Sequence, residues 1–292
     1  MPPSPFTSWL YDESTATKRL RIASVAMSCA RDPDTNWARI ADTIDTIVVD
    51  HPDVDLVFLG EMLLGWFNPG KRPEEYRRIA EPISETSLAP LLSQAQEHGI
   101  YLCLGLPERE GEALYNTQVL LNPEGEIQAR HRKRNLKPAE AQAGYLPGSL
   151  PVTVTEIKGV RTGLVICADA ASPHTMRELM RQRLDLILLS LADDGDENGF
   201  VSRFNARMYD AWVVTANRYG DEDGWFWDGH LVVSDPRGRL RSTSKGQEQI
   251  LVTECAFPAE RSWLARLLRN ALVKATLIPH VLRNWKRAKT YL

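Results

Sequence analysis

TGLVICADAASPH (162–174) is a short apolar run that ends on Cys167 and gives way to small and polar residues ahead of Pro173. A continuous run of that length, without alternation, reads as a strand buried on both faces, as parallel sheets use. The segment after it, 174–183, reads as a helix, and DLILLS (185–190) as a second buried strand. The same grammar holds upstream. RLRIASVAM (19–27) predicts a strand, and Trp37, Ile40, Ile44, Ile47 and Val48 predict a helix over 35–50. DLVFL (55–59) is a buried strand, and Leu88, Leu91, Leu92 and Ala95 mark a helix closed by Gly99. YLCLGL (101–106), TQVLLN (117–122) and IQARHR (127–132) follow as strands, with NPEG (122–125) as a turn. Downstream come a helix over 200–211, the strand WVVTAN (212–217), HLVVSDPRG (230–238) running from strand into turn, and a last strand QILVTEC (249–255). Strands alternating with helices predict an α/β fold. The pair Asp55-Leu-Val-Phe-Leu and Asp185-Leu-Ile-Leu-Leu hints at a duplicated βα layout. No Gly/Ser linker interrupts 19–256, which reads as one domain behind an extended arm over 1–18.

The chain has 292 residues, 43% of them hydrophobic and 25% charged, enough for a sizeable core. Its 35 basic and 38 acidic residues give a net charge of -3, which argues against a nucleic-acid partner. No apolar run approaches the roughly 18 residues of a membrane span. The N-terminus lacks the basic and apolar stretches of a secretory signal. Cys29, Cys103, Cys167 and Cys255 lie far apart, in no metal-ligand spacing. A reduced cytoplasmic protein is the simplest reading.

Three residues stand at strand ends with chemistry to offer. Glu61 follows DLVFLG, and the carboxyl ends of buried parallel strands are where α/β proteins place active-site groups. A solvated loop glutamate is the alternative. Lys133 lies in HRKRNL (131–136), either as part of a solvated charge run or as a buried lysine that holds an oxyanion and keeps a nearby thiol ionised. Cys167 stands at a strand-to-helix junction, where backbone N–H groups favour a thiolate, although free cysteines often serve as small core residues.

Taken in order, EM (61–62), HRKRNLKPAE (131–140) and GLVICADAASPH (163–174) resemble the signatures of the nitrilase superfamily, the carbon–nitrogen hydrolases. Gly163, Ile166, Cys167, Asp169 and Pro173 match that family's G-x-x-I-C-x-D-x-x-x-P pattern. Ala206-Arg207, Asn217-Arg218 and Asp235-Pro236-x-Gly238 match later family features, so the resemblance covers roughly 19–256. It implies a four-layer α-β-β-α sandwich and hydrolysis of a non-peptide C–N bond by a Glu-Lys-Cys triad, with no metal or cofactor. Glu61 would take the thiol proton, Cys167 would attack, and Lys133 with the Ala168 N–H would hold the oxyanion, each donor being worth about 3–4 kcal/mol. Glu140 would position substrate. A thioester would form, ammonia or an amine would leave, and water activated by Glu61 would resolve the ester.

The chain departs from the pattern near the expected pocket. Gly60 replaces a proline, where glycine should simply be tolerated, and Ala168 replaces a frequent aromatic. Ser172 and His174 flank Pro173 in place of F-P-E, and Leu231 replaces a Ser or Thr. Cys-Ala-Asp resembles the amidase and carbamoylase branches, so a small-molecule amide or carbamoyl substrate is expected. A nitrile, or a non-catalytic scaffold role, is the alternative. Asp193 and Asp194 would attract a cationic substrate unless they form a solvated acidic loop. Trp66, Trp225, Trp227 and Tyr145 line either an apolar pocket wall, the core or an oligomer contact. The tail, 257–292, carries eight basic and no acidic residues over 261–292, interleaved with Trp263, Leu267 and Trp285. It reads as a contact within a homodimer or larger homo-oligomer, with an anionic membrane surface as the alternative.

Overall fold

The computed structural model describes residues 13–67, 73–195 and 198–258, with Ala271 and Ala275 beyond them. Of the expected tail, Phe257 and Pro258 belong to the last strand, and the basic stretch over 261–292 lies outside the described residues apart from Ala271 and Ala275. Two sets of three parallel strands organise the chain. The first is β1 (Ala16–Ser28), β2 (Leu56–Phe58) and β3 (Tyr101–Glu110). The second is β7 (Val160–Ile166), β8 (Leu186–Ser190) and β9 (Trp212–Glu222). The antiparallel strands β4 (Ala113–Leu121) and β5 (Ile127–Arg132) extend the first set, and β6 (Val154–Ile157) extends the second. The strand order is β5-β4-β3-β2-β1-β9-β8-β7-β6. Strand β9 joins the two sets, because its start pairs with β8 and its Asn217–Tyr219 stretch pairs with the end of β1.

Side-chain parity turns this order into layers, since alternate residues of a strand face opposite ways. Leu20 and Ile22 of β1 and Leu56 and Phe58 of β2 pack against Leu164, Leu186, Leu188, Trp212 and Val214 of the second set. Their neighbours Ala23, Val25, Val57 and Leu59 face outward onto Ile40, Ile44 and Ile47 of α1 (Pro33–Asp50) and Leu91 and Ala95 of α3 (Ala89–His98). On the far side Val165, Ile187 and Val213 meet Leu179 of α5 (Pro173–Leu179) and Ala206 and Met208 of α6 (Asn198–Tyr209). The result is the α-β-β-α sandwich. Helix α1 starts where Asp32 accepts a hydrogen bond from the Thr35 N–H at 2.9 Å, with Pro33 in the first turn. Helix α3 ends on Gly99 in the left-handed conformation, φ 65°.

The duplicated layout is present down to single hydrogen bonds. The Asp55 N–H donates to Arg21 O and its carboxylate accepts from the Arg21 N–H at 2.7 Å. The Asp185 N–H donates to Arg161 O and its carboxylate accepts from the Arg161 N–H at 3.4 Å. Each aspartate then passes its carbonyl to the third strand, at the N–H of Tyr101 or Trp212.

Several boundaries differ from the sequence reading. Strand β1 begins at Ala16, inside the expected arm, because β13 (Gln249–Pro258) runs antiparallel beside it as far back as Ala16. The helix expected over 174–183 ends at Leu179, and Arg183 takes a left-handed φ of 52°. Short elements escaped the reading: α2 (Pro73–Ile79), α4 (Pro138–Gln142), β6, β10 (Trp225–Asp228) and β12 (Leu240–Ser244). Between β10 and β12 lies β11 (Leu231–Ser234).

Candidate active site

Glu61 is fully buried just past β2, and its backbone is gripped from both sides. A Cβ on Gly105 would come within 2.7 Å of the Glu61 Cα, and a Cβ on Gly60 within 2.9 Å of the Asn217 carbonyl. Gly60 is therefore required by close backbone approach, which corrects the expectation that it is merely tolerated. The Glu61 N–H donates across the sandwich to Leu191 O at 3.2 Å. From β9, the buried Arg218 guanidinium donates to Glu61 O at 2.9 Å, Met62 O at 2.6 Å and Gly65 O at 2.6 Å. Arg218 is neutralised by buried Glu222, whose other oxygen accepts from the Phe67 N–H at 2.6 Å. Met62 is held at a left-handed φ of 58°.

Lys133 follows β5, and its side chain is buried. Its ammonium donates to Glu61 Oε1 and to Glu140 Oε2, each at 2.8 Å. Asn116, the fourth residue of β4, donates to Glu61 Oε1 at 2.6 Å and to Glu140 Oε1 at 2.9 Å, closing a four-membered polar ring. Glu140 is fixed further by the Lys137 N–H at 2.8 Å. Glu61 Oε2 is left buried with no hydrogen-bond partner among the described residues.

Cys167 ends β7 and opens a 3-10 turn, Cys167–Ala171. Its φ of 41° is left-handed, an uncommon and strained setting for a residue with a side chain. It is half-buried, whereas Cys29, Cys103 and Cys255 are buried. As the second residue of the turn, Ala168 has an N–H without an intrahelical acceptor. Asp169 fastens the turn to the lysine loop. Its carboxylate accepts from the Asn135 N–H at 2.8 Å, Asn135 Nδ2 at 2.6 Å and the Arg134 N–H at 3.2 Å, and meets His131 Nε2 at 3.1 Å. These bonds hold its pKa below the usual carboxylate value although burial acts the other way.

Burial drives the Glu61 pKa upward and the Glu140 charge adds to it, while Lys133 and Asn116 offset part of the rise. Burial also disfavours the Lys133 ammonium, but the Glu61, Cys167 and Glu140 charges outweigh it and raise its pKa. The Cys167 thiol is pushed up to about 12, by burial first and then by Glu61, with Lys133 and Lys137 opposing. At the Cys167 thiol, burial and the Glu61 charge outweigh the opposing pull of Lys133 and Lys137. A thiol and a carboxyl group, each with its pKa raised by burial, thus share one site, an arrangement suited to proton transfer during attack.

The remaining expected residues scatter. Asp169 spends its oxygens on the brace between the cysteine turn and the lysine loop, one step removed from any substrate. His174 points to solvent and pairs with Glu178 one helical turn on, at 3.0 Å, which removes it from the pocket. Trp66 is half-buried and its indole N–H donates to Cys29 O at 3.1 Å. Asp193 is half-buried, its N–H bonds Asn217 Oδ1 at 3.1 Å, and its charge reaches Cys167. Asp194 is exposed. Trp225 is 47% exposed, while Trp227 and Tyr145 are buried in one cluster with Met62, Phe67 and Ala192. Asn116 and the clamp role of Arg218 were not foreseen. Asn116 carries no local signal, whereas Arg218 followed a recognised Asn-Arg pair at a strand end.

Comparison with known proteins adds to this geometry. The (R)-stereoselective amidase of a Pseudomonas sp is 32% identical over 215 residues, covering 72% of this chain and 76% of that protein. A nitrilase of Pyrococcus abyssi is 28% identical, covering 76% of this chain and 84% of that protein. Among solved structures, Saccharomyces cerevisiae Nit3, a nitrilase superfamily member, superposes with a TM-score of 0.75 at 21% identity, covering 90% of this chain and 96% of that one. An amidase from Nesterenkonia sp. AN1, with the acetamide moiety of fluoroacetamide covalently added at its active-site cysteine, superposes with a TM-score of 0.70 at 24% identity, covering 83% and 91%. The family model described as Carbon-nitrogen hydrolase matches residues 21–264, and on that match the chain belongs to the carbon–nitrogen hydrolase family, enzymes of the nitrilase superfamily.

Proposed function

We propose that this enzyme hydrolyses the amide or N-carbamoyl group of a small molecule, with Cys167 as nucleophile, Glu61 as general base and Lys133 as oxyanion donor. The carrying observation is the division of labour on Glu61: Oε1 is held by Lys133 and Asn116, while Oε2 is buried with no hydrogen-bond partner among the described residues. A carboxylate fixed by one oxygen and open at the other is ready to take a proton. In the first step Glu61 accepts the thiol proton as Sγ bonds to the carbonyl carbon, and the carbonyl electrons move onto oxygen. Lys133 Nζ and the Ala168 N–H stabilise that oxyanion, each contributing about 3–4 kcal/mol when preorganised. Glu61 returns the proton to nitrogen, the C–N bond breaks, and ammonia or an amine leaves a thioester. Glu61 then deprotonates water, which attacks the thioester and frees the acid and the thiol. Glu140 holds Lys133 in place and borders the acyl site. An amide is favoured over a nitrile by the Cys-Ala-Asp sequence, and the amidase at 32% identity covers 72% of this chain against 61% for an aliphatic nitrilase at the same identity.

The test is ammonia release from a panel of aliphatic amides, ω-amides, N-carbamoyl amines and nitriles by wild type and Cys167→Ala. The expected result is turnover of an amide or carbamoyl class by wild type alone, with a thioester mass adduct on Cys167 at early times. Turnover surviving in Cys167→Ala overturns the mechanism.

A further inference from the structure

The Tyr145 hydroxyl is buried and makes no hydrogen bond among the described residues. Native proteins rarely leave a buried hydroxyl unpaired, and each instance calls for an explanation. Its position supplies one. Tyr145 follows α4, five residues after Glu140, and its N–H donates to Glu140 O at 3.1 Å. It forms a bridge to Leu114 of β4, two residues before Asn116. Its ring stands edge-on to Tyr76 at 5.5 Å, and the Tyr76 hydroxyl donates to Trp66 O at 3.3 Å. The phenol is thus held rigidly from backbone and ring alike. Burial, with the Tyr76 hydroxyl and the Glu140 and Glu61 carboxylates nearby, lifts its pKa well above the usual tyrosine value, so it remains a donor.

The neighbouring carboxylates already serve Lys133 and Asn116. Around Tyr145 the wall is apolar, built from Met62, Phe67, Ala192 and Trp227, and the Trp227 indole N–H is a second buried donor without a hydrogen-bond partner among the described residues. A wall with donors to spare and two carboxylates close by suits a neutral acceptor oxygen and disfavours an anionic one.

We propose that Tyr145 is a substrate-binding residue, its hydroxyl donating to an uncharged oxygen (ether, hydroxyl or carbonyl) on the acyl portion of the substrate amide. This rests on the amidase reading and deepens it: the preferred substrates are small amides whose acyl chain is apolar except for one such oxygen.

The test compares matched amides that differ only in that oxygen, methoxyacetamide against butyramide and lactamide against isobutyramide. Wild type and Tyr145→Phe are assayed for ammonia release, and thermal unfolding is recorded for both. In wild type the oxygenated member of at least one pair has a kcat/KM higher by about fivefold to tenfold, the worth of one neutral hydrogen bond. In Tyr145→Phe that ratio falls to near one, and the unfolding temperature holds or rises, because a hydroxyl without a protein partner is removed. A wild type that shows no preference overturns the inference, and so does a preference that survives in Tyr145→Phe. A lowered unfolding temperature with an unchanged ratio also overturns it, by giving the hydroxyl a structural partner. Failure of the wild type to hydrolyse any of the four amides overturns the inference that such amides are preferred, and failure on the ω-amides and N-carbamoyl amines as well removes the amidase reading itself, a result distinct from hydrolysis without oxygen preference.

Discussion

The two βα halves share a hydrogen-bond pattern but not a chemistry. In the first, the middle strand β2 runs on through Leu59-Gly60 to Glu61; in the second, β8 runs on to Leu191. The two positions face each other, for the Glu61 N–H donates to Leu191 O. The first strands differ as well: β7 delivers Cys167 in a left-handed turn, while the end of β1 delivers Cys29 into the core. Of these paired strand ends each half therefore makes one reactive, Glu61 in the first and Cys167 in the second, and leaves its counterpart inert, while Lys133 joins them from the end of β5 in the first half. The site exists only where the halves are held in register, and β9 does the holding by pairing with both β8 and β1 and by carrying Asn217 and Arg218.

The largest break in this comparison is the removal of either contributed group. Cys167→Ala is expected to lower kcat/KM by on the order of 10⁶, as loss of a nucleophile does. Glu61→Gln keeps the Oε1 contacts and loses the base, and a fall of about 10³–10⁴ in kcat is expected. The double variant should fall no further than Cys167→Ala, because the groups act as a unit. Steady-state kinetics with ammonia detection checks all three, and additive losses would separate Glu61 from the step that uses Cys167.

Register comes next. Gly105→Ala sets a Cβ 2.7 Å from the Glu61 Cα, so β3 or the Glu61 backbone must shift. A displacement near 1 Å costs about 100-fold in rate, with an overpacking loss of about 1–3 kcal/mol in stability. Denaturant unfolding beside kcat separates the two. Full activity in a destabilised Gly105→Ala variant would show that the grip on Glu61 is structural only.

A milder probe is pH. The Glu61 pKa is raised, so the carboxylate form needed as base is lost as pH falls through a value above the ordinary glutamate range, about 4.3. The acid limb of kcat/KM should lie above that value, and the profile should keep rising through it with pH. An acid limb below it would mean that burial does not control the base.

What the sequence conveyed and what it withheld follow from distance along the chain. DLVFL and DLILLS are legible because strands buried on both faces are continuous apolar runs, and the two aspartates that open them do matching work in space. Glu61, Lys133 and Cys167 were legible because each ends a strand inside a local pattern. Asn116 was not, since its partners lie 55 and 24 residues away and a polar residue early in a strand looks like any loop residue. The Arg218 clamp spans more than 150 residues. Strand β12, LRSTS, is largely exposed and carries almost no apolar signal. His174 lies beside Pro173 in the sequence, but the helical phase that begins there turns it toward Glu178 and solvent, which neighbourhood along the chain does not show.

The smallest expected effect is on the counterpart cysteine. Cys29 ends its half as Cys167 ends the other, and it even has the Arg218 guanidinium nearby to favour a thiolate. Burial pushes the thiol up at both cysteines, to about 11 at Cys29 and about 12 at Cys167, so ionisation does not set them apart. Unlike Cys167 it is closed off, 6% exposed, and packed in the outer core with α1. Cys29→Ala should leave kcat/KM within about twofold, since small changes in a core far from a reacting atom act through packing. Its stability cost should be about 1 kcal/mol, the loss of one buried sulfur. In native protein, iodoacetamide should modify Cys167 and spare Cys29, read by peptide mass spectrometry. Equal labelling would break the contrast between the halves at its root, because reactivity would then follow from ending a first strand and not from the left-handed turn and the opening that only the second half provides.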